Sequence, residues 1–530
     1  MDARGPSERS QLKNVLSRNL TVSVAAKVLY MVTRVFVPPV VLAYVSMEEY
    51  GIWAACFIVI GYLGMSAFGI SGAYVRYAAD LQARGETRRI GELISTGLAA
   101  SLALSLAGLA VVWCVLPWAL GALDIPAHLT RTATVLILGT TATFMLDLNL
   151  GAFAYVLQGL QRLAQQNAVW VVSFLMETVL IVVFLHHGLG VYALLLAFVC
   201  RYLLATSLNV YMCFRALPGL RLGPRQISRE MLRLFYGYGA MVQVSALLGT
   251  FLYSVEKVLA GFFVNIRATG LFDIGEKLPM MTSQVFASMN ESFLPAMAHL
   301  GTLDRRDEIT KLYLKGARYT HMITGMAMGF LAAFTGPLLT AWLGPRQDLT
   351  ELALIMTVFC LPYQIHILTG PASMYHRGAG HARRELVYFT LQLVLVALTV
   401  GLGFWHWGRQ LEVIVGGVAV SMVTSALVYI YYSNHFVAVS AGRFSVSALL
   451  PGLVPYAWAG VVRLLASPVV VWAGTDRLSL LLLLAMAGLV YAVAAGATLF
   501  FGFCPWEERE FLRRQLSHTV RSLVPGRRPN

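Results

Sequence analysis

The chain has 530 residues, 58% of them hydrophobic and 12% charged, with a mean hydropathy of +0.69. That is more apolar surface than the core of one soluble domain can bury, so the composition excludes a soluble fold and predicts an all-α polytopic membrane protein. The formal charge of +14 lies between apolar runs, not on one face of a soluble module, which argues against nucleic-acid binding, and the six cysteines follow no CxxC spacing, so no metal, cofactor or disulfide framework is expected.

Residues 1–19 are polar and basic and lack an apolar core with a cleavage site, so the first apolar run is expected to remain as a span. Runs of roughly 20 residues or more follow near 20–45, 50–75, 92–116, 131–157, 168–186, 190–214, 234–263, 269–300, 318–341, 350–376, 385–405, 412–436, 448–466 and 478–502, predicting about 14 transmembrane helices. The eighth is interrupted by polar residues and Pro295, and the thirteenth holds Pro451, Pro455 and Arg463. With the N-terminus inside, the connecting segments carry 29 Lys and Arg inside and 5 outside, and six more lie within spans. Basic residues are retained on the cytoplasmic side, so both termini are expected there.

Sliding the chain on itself by 219 residues pairs "GAFAYVLQGLQR" (151–162) with "GPASMYHRGAGH" (370–381), "RYAADLQ" (76–82) with "PAMAHLG" (295–301), and Gly51 with Gly270. The shared offset predicts two parallel six-helix repeats around a central cavity, plus two C-terminal helices. The expected organisation is a basic N-terminus (1–19), an N-terminal half (20–214), a basic linker (215–233), a C-terminal half (234–436), helices 13 and 14 (448–502) and a basic cytoplasmic tail (503–530). Parallel repeats commonly enclose a midplane site and work by rocking, which favours a transporter over an enzyme.

The segment "RVFVPPVVLAYVSMEEYGIWAACFIVIGYLGMSAFGISGAYVRYAAD" (34–80) and, in the second half, "EKVLAGFFVNIRATGLFDIGEKLP" (256–279) resemble the polysaccharide-transport flippases of the Wzx type, in the multidrug/oligosaccharidyl-lipid/polysaccharide (MOP) superfamily. Glu256-Lys257 stands where Asp-Arg is commoner, and "GLF" where "GxY" is usual. The resemblance covers about residues 15–435. It implies a flippase of the bacterial inner membrane that moves undecaprenyl-diphosphate-linked oligosaccharide to the periplasmic leaflet. The lipid tail would stay among membrane lipids, with the glycan polymerase and chain-length machinery as partners. A peptidoglycan-precursor flippase and a multidrug or cation antiporter are alternatives within the superfamily. A membrane glycan polymerase or glycosyltransferase is the alternative of another class, disfavoured by short outside loops and the lack of a paired-carboxylate loop motif.

An ionised side chain near the bilayer centre costs at least about 2.5–3.5 kcal/mol on insertion scales, so charges within spans mark candidate sites. Lys27 and Arg34 are seven residues apart and share a helix face; with Lys277 and Arg201 they are the candidate substrate-binding cations, suited to a diphosphate. Lys27 also lies near enough to the cytoplasmic end to snorkel. Asp273 and Lys277 are at i and i+4 of one predicted helix and can pair. Asp147, Glu177 and Glu291 have no evident local partner, and with Asp273 they are the candidates for proton or sodium coupling. They serve equally well as counter-ions for Arg201 or Arg463.

Overall fold

A computed structural model describes residues 29–64, 68–233, 235, 254–303 and 305–510. Lys27 and most of the seventh predicted run lie outside them. The described chain is helical: α1 (Leu29–Val41), α2 (Met47–Gly64), α3 (Phe68–Ala83), α4 (Thr87–Ala122), α5 (Ala127–Gly159), α6 (Leu163–His186) and α7 (Tyr192–Ala216) come first. Then follow α8 (Val255–Phe263), α9 (Ile266–Gly275), α10 (Lys277–Glu291), α11 (Phe293–Thr302), α12 (Arg306–Ala333), α13 (Thr335–Leu343), α14 (Leu349–Gly378), α15 (Ala382–Trp407), α16 (Leu411–Phe436), α17 (Ala441–Ala473) and α18 (Arg477–Phe503). Among the described residues nine helices are long and apolar enough to cross a membrane, or up to ten if the bent pair α12–α13 is one span. This multi-pass, all-α architecture is the predicted class, and nine or ten full-length spans of the fourteen expected are found among the described residues.

Proline chemistry explains where the predicted runs break. The eighth run, expected as one helix, is three: α9, α10 and α11. The ninth begins earlier than its apolar part, at Arg306, and bends by 75° between α12 and α13. α9 ends at Gly275, α10 at Glu291 and α12 at Ala333, each four residues before a proline (Pro279, Pro295, Pro337). Proline has no N–H for the carbonyl four residues back and its ring crowds that carbonyl, so the helix stops there. The thirteenth run behaves differently: α17 continues through Pro455 and Pro468, with a π turn at Ser445–Leu449 before Pro451.

The chain packs as two compact units, one of residues up to 274 with 403–414, the other of residues 275–402 and from 415 onward. In the first, Tyr74, Ala78, Ile90, Ile94, Phe153 and Val156 form a core between α3, α4 and α5. In the second, Met297, Ile309, Tyr313, Ala372, Tyr429 and Phe444 do the same. Ala78, Ile90 and Ile94 stand 219 residues before Met297, Ile309 and Tyr313, the offset of the sequence repeat. Contacts recur at that offset too. A Cβ on Gly159 would lie 3.0 Å from that of Ala78 and 3.3 Å from the Ala79 nitrogen; a Cβ on Gly378 would lie 3.2 Å from that of Met297 and 3.0 Å from the Ala298 nitrogen. Each unit therefore brings two helices into backbone contact at equivalent glycines, where any side chain would separate them.

Candidate functional site

In the first unit α2, α3, α5, α6 and α7 enclose a cavity of about 570 Å³. Its α6 wall carries Trp170 and Phe174, its α7 wall Arg201, Tyr202 and Asn209, and Asp147 reaches it from α5. Trp170 and Phe174 are four residues apart on α6 and so point the same way, as do Arg201 and Ala205, and Tyr202 and Thr206, on α7. Five aromatic side chains and seven polar or charged ones share the lining, a mixture that suits a ligand with both apolar faces and polar groups.

Arg201 is buried, its side chain 8% exposed, and its Nε stands 3.6 Å from Oε2 of Glu177, itself 6% exposed. That separation is an ion pair but not a hydrogen bond, and among the described residues the Arg201 Nε has no hydrogen-bond partner. The guanidinium lies over three rings, 4.1 Å from the centroid of Tyr202, 4.5 Å from Phe174 and 5.1 Å from Phe198. A desolvated cation over an aromatic face gains about 2 kcal/mol, which with Glu177 compensates for burying the charge.

Half-buried Arg34 on α1 approaches the same place. Its guanidinium is 5.1 Å from the Tyr30 ring, 5.9 Å from Phe57 and 5.6 Å from Phe174. Phe174 is therefore shared by two cations, Arg34 and Arg201. Tyr30 packs on Trp170 and Phe174 at 5.1 and 4.9 Å, so α1 is fixed against α6 through rings. Asp147, at the cavity, accepts a long hydrogen bond of 3.5 Å from Thr206.

Four predicted residues, Arg34, Arg201, Asp147 and Glu177, are thus gathered around one cavity or its aromatic wall. Glu177 takes the counter-ion position towards Arg201. The other predicted residues are elsewhere. Lys277 and Glu291 stand at the first and last positions of α10 in the second unit, Glu291 exposed. The expected i, i+4 pairing of Asp273 with Lys277 presumes a continuous helix, but the chain breaks between α9 and α10. Asp273 receives Lys257 from α8, Nζ to Oδ1 at 3.0 Å, and the Tyr50 hydroxyl at 2.9 Å.

Of the aromatic residues within spans, Trp53 packs edge-on against Phe57 and Phe198, and Tyr363 donates to Glu276 at 3.2 Å. The rings that line the cavity, Trp170, Tyr202 and Tyr155, carry no special mark in the sequence. Only the four-residue spacings of Trp170 to Phe174 and of Tyr155 to Gly151 could have pointed to two of them.

Comparison with known proteins agrees with this architecture. The sequence model of the family described as "Polysaccharide biosynthesis protein" matches residues 12–300. The uncharacterized membrane protein EpsK of Bacillus subtilis (strain 168) is 20% identical over 334 residues, 62% of this chain and 65% of that protein, so the chain spans about 65% of the curated relative it matches. Among solved structures, the lipid II flippase MurJ in an inward closed conformation superposes with a TM-score of 0.63 at 12% identity, covering 91% of this chain and 98% of that one. An inward-facing multidrug resistance MATE family transporter of the MOP superfamily gives 0.61 at 13% identity, covering 79% and 94%. At such identities the likeness is one of fold.

Proposed function

This chain belongs to the polysaccharide biosynthesis protein family and has the fold of MOP-superfamily transporters, and from that premise we propose that it is a flippase for undecaprenyl-diphosphate-linked oligosaccharide. It would move the head group from the cytoplasmic to the periplasmic leaflet of the bacterial inner membrane, for O-antigen, capsule or exopolysaccharide synthesis, with both termini in the cytoplasm. The observation that carries this reading is the Arg34–Phe174–Arg201 arrangement beside a cavity lined by both aromatic and polar side chains. A lipid-linked glycan offers two features to such a site. Its diphosphate loses hydration on leaving water and needs fixed donors to replace it; an arginine fork supplies them. Its sugar rings present flat apolar faces that Trp170 and Tyr202 can cover.

The pair with Glu177 matters to the cycle. An arginine permanently neutralised would hold an anion weakly, whereas one that shares its charge between Glu177 and a phosphate can bind and release. Asp147, across the cavity, is the group placed to take up a proton or sodium ion as the anion leaves.

A peptidoglycan-precursor flippase is the second reading, favoured by the coverage of MurJ, and its substrate would present the same diphosphate. The deciding experiment measures lipid-linked intermediates in cells lacking the gene. Accumulation of an oligosaccharide on undecaprenyl diphosphate, with peptidoglycan precursors unchanged, is the expected result. Accumulation of lipid II alone would transfer the protein to the second reading, and no accumulation of either would end the flippase proposal.

A further inference from the structure

The end of α2 opposite the arginine-rich segments, which the charge distribution assigns to the outside, is closed by two features that neither the cavity nor the family assigns. The first is a seam. Gly51 of α2 and Gly270 of α9 lie back to back: a Cβ on Gly51 would run into the Ile266 carbonyl, and one on Gly270 would fall 2.9 Å from the Met47 oxygen and 3.1 Å from the Gly51 Cα. These glycines are the pair related by the 219-residue repeat, so the repeat meets itself there with backbone on backbone. The second is a three-helix polar knot one residue away. Asp273 of α9 takes Tyr50 of α2 on Oδ2 at 2.9 Å and Lys257 of α8 on Oδ1 at 3.0 Å. Lys257 and Asp273 are 12% and 21% exposed, and Tyr50 is buried. The Lys257 carbonyl accepts from Thr269 of α9 at 3.2 Å, a second tie between α8 and α9.

A charged pair in apolar surroundings is a poor device for stability alone, because desolvation consumes most of its Coulomb gain. It is a good device for holding one of two discrete arrangements, since separation of the helices exposes both charges to water and repays that desolvation. We propose that Tyr50, Lys257 and Asp273 are the latch of an outer gate whose closed face is the Gly51–Gly270 seam. Asp273 is the keystone, because each of its oxygens holds a different helix. The proposal gives Asp273 a gating role in place of the ion-coupling one, and it rests on the transporter reading for the need to open that end.

The test uses the full chain with its six cysteines replaced and a single reporter, Ala205→Cys, in the cavity wall. A membrane-impermeant maleimide is applied to right-side-out spheroplasts and, separately, to inside-out vesicles. Asp273→Asn and Lys257→Met should raise labelling from the outside by about tenfold, equivalent to about 1.4 kcal/mol in the open–closed balance, and lower it from the inside. General loosening would raise both. Gly51→Ala, which props the seam open, should act in the same direction, and the charge exchange Lys257→Asp with Asp273→Lys should restore slow outside labelling. If Asp273→Asn does not accumulate in the membrane, Tyr50→Phe, which removes one oxygen only, carries the decision through the same two rates. Unchanged outside labelling in the accumulating variants, or a rise on both sides, overturns the latch. Labelling needs no substrate, so its outcome is independent of which lipid is moved.

Discussion

Replacing Arg201 by Met removes a guanidinium but leaves Glu177 in a pocket where its side chain is 6% exposed. The loss of one partner from a buried ion pair typically destabilises by about 3–5 kcal/mol, because the remaining charge has nothing to offset its desolvation. Loss of the stacking on Tyr202 and Phe174 adds about 0.5–2 kcal/mol, part of which the methionine recovers by packing. A net loss near 4 kcal/mol is large against a total stability of roughly 5–15 kcal/mol, so the single variant should accumulate poorly. Removing both charges, as Arg201→Met with Glu177→Met, leaves no orphan and should return stability to within about 1 kcal/mol of the parent. Denaturation of the purified protein in micelles, followed by tryptophan fluorescence, closes the double-mutant cycle with an expected coupling of at least about 3 kcal/mol, larger by whatever Glu177→Met alone costs. Export separates structure from function: the double variant should be folded and inactive. Additive effects to within about 0.5 kcal/mol would refute the buried-pair argument, and normal export by the double variant would remove Arg201 from the substrate site.

Arg34→Ala should abolish export at normal membrane levels, while Arg34→Lys keeps part of it because charge survives the loss of the planar fork; quantifying exported glycan against protein in the membrane checks both. Gly452→Ala places a methyl in the His321 ring where α17 crosses α12 and disturbs the Gly452 carbonyl that accepts from Gln364 at 2.8 Å; a loss of about 1–3 kcal/mol from overpacking is expected in thermal unfolding. Single cysteines at Gly188 and Gly380, both in turns with positive φ, should be labelled from the outside and from the inside respectively; outside labelling of the second would reverse the assigned orientation.

The apolar runs and the loop charges were enough to read a helical membrane protein, because bilayer thickness and Lys/Arg retention act on each segment locally. The repeat was legible through Gly159 and Gly378, since a glycine fixed by helix contact leaves its mark at a constant offset. What local patterns could not reveal was convergence. Arg201 and Glu177 are readable as charges within spans, but their meeting depends on how α6 lies along α7. The lining rings Trp170 and Tyr202 cannot be told from packing aromatics in a segment that is apolar throughout. For Asp273 the i, i+4 rule loses its footing at Gly275, where Pro279 ends α9, and one of its partners, Lys257, comes from α8, sixteen residues upstream.

α10 deserves a different description from its neighbours because both of its ends are proline-defined. It is a helix of 15 residues, about 22 Å long at 1.5 Å per residue, joined to the chain at each end where a proline removes a helical hydrogen bond. Lys277 begins it and Glu291 ends it, a cation at the positive pole of the helix and an anion at the negative pole. Each opposes the helix dipole by about 0.3–1 kcal/mol. Both end charges therefore weaken the helix that carries them, and α10 is held as a helix by its packing against neighbouring elements and not by its end groups.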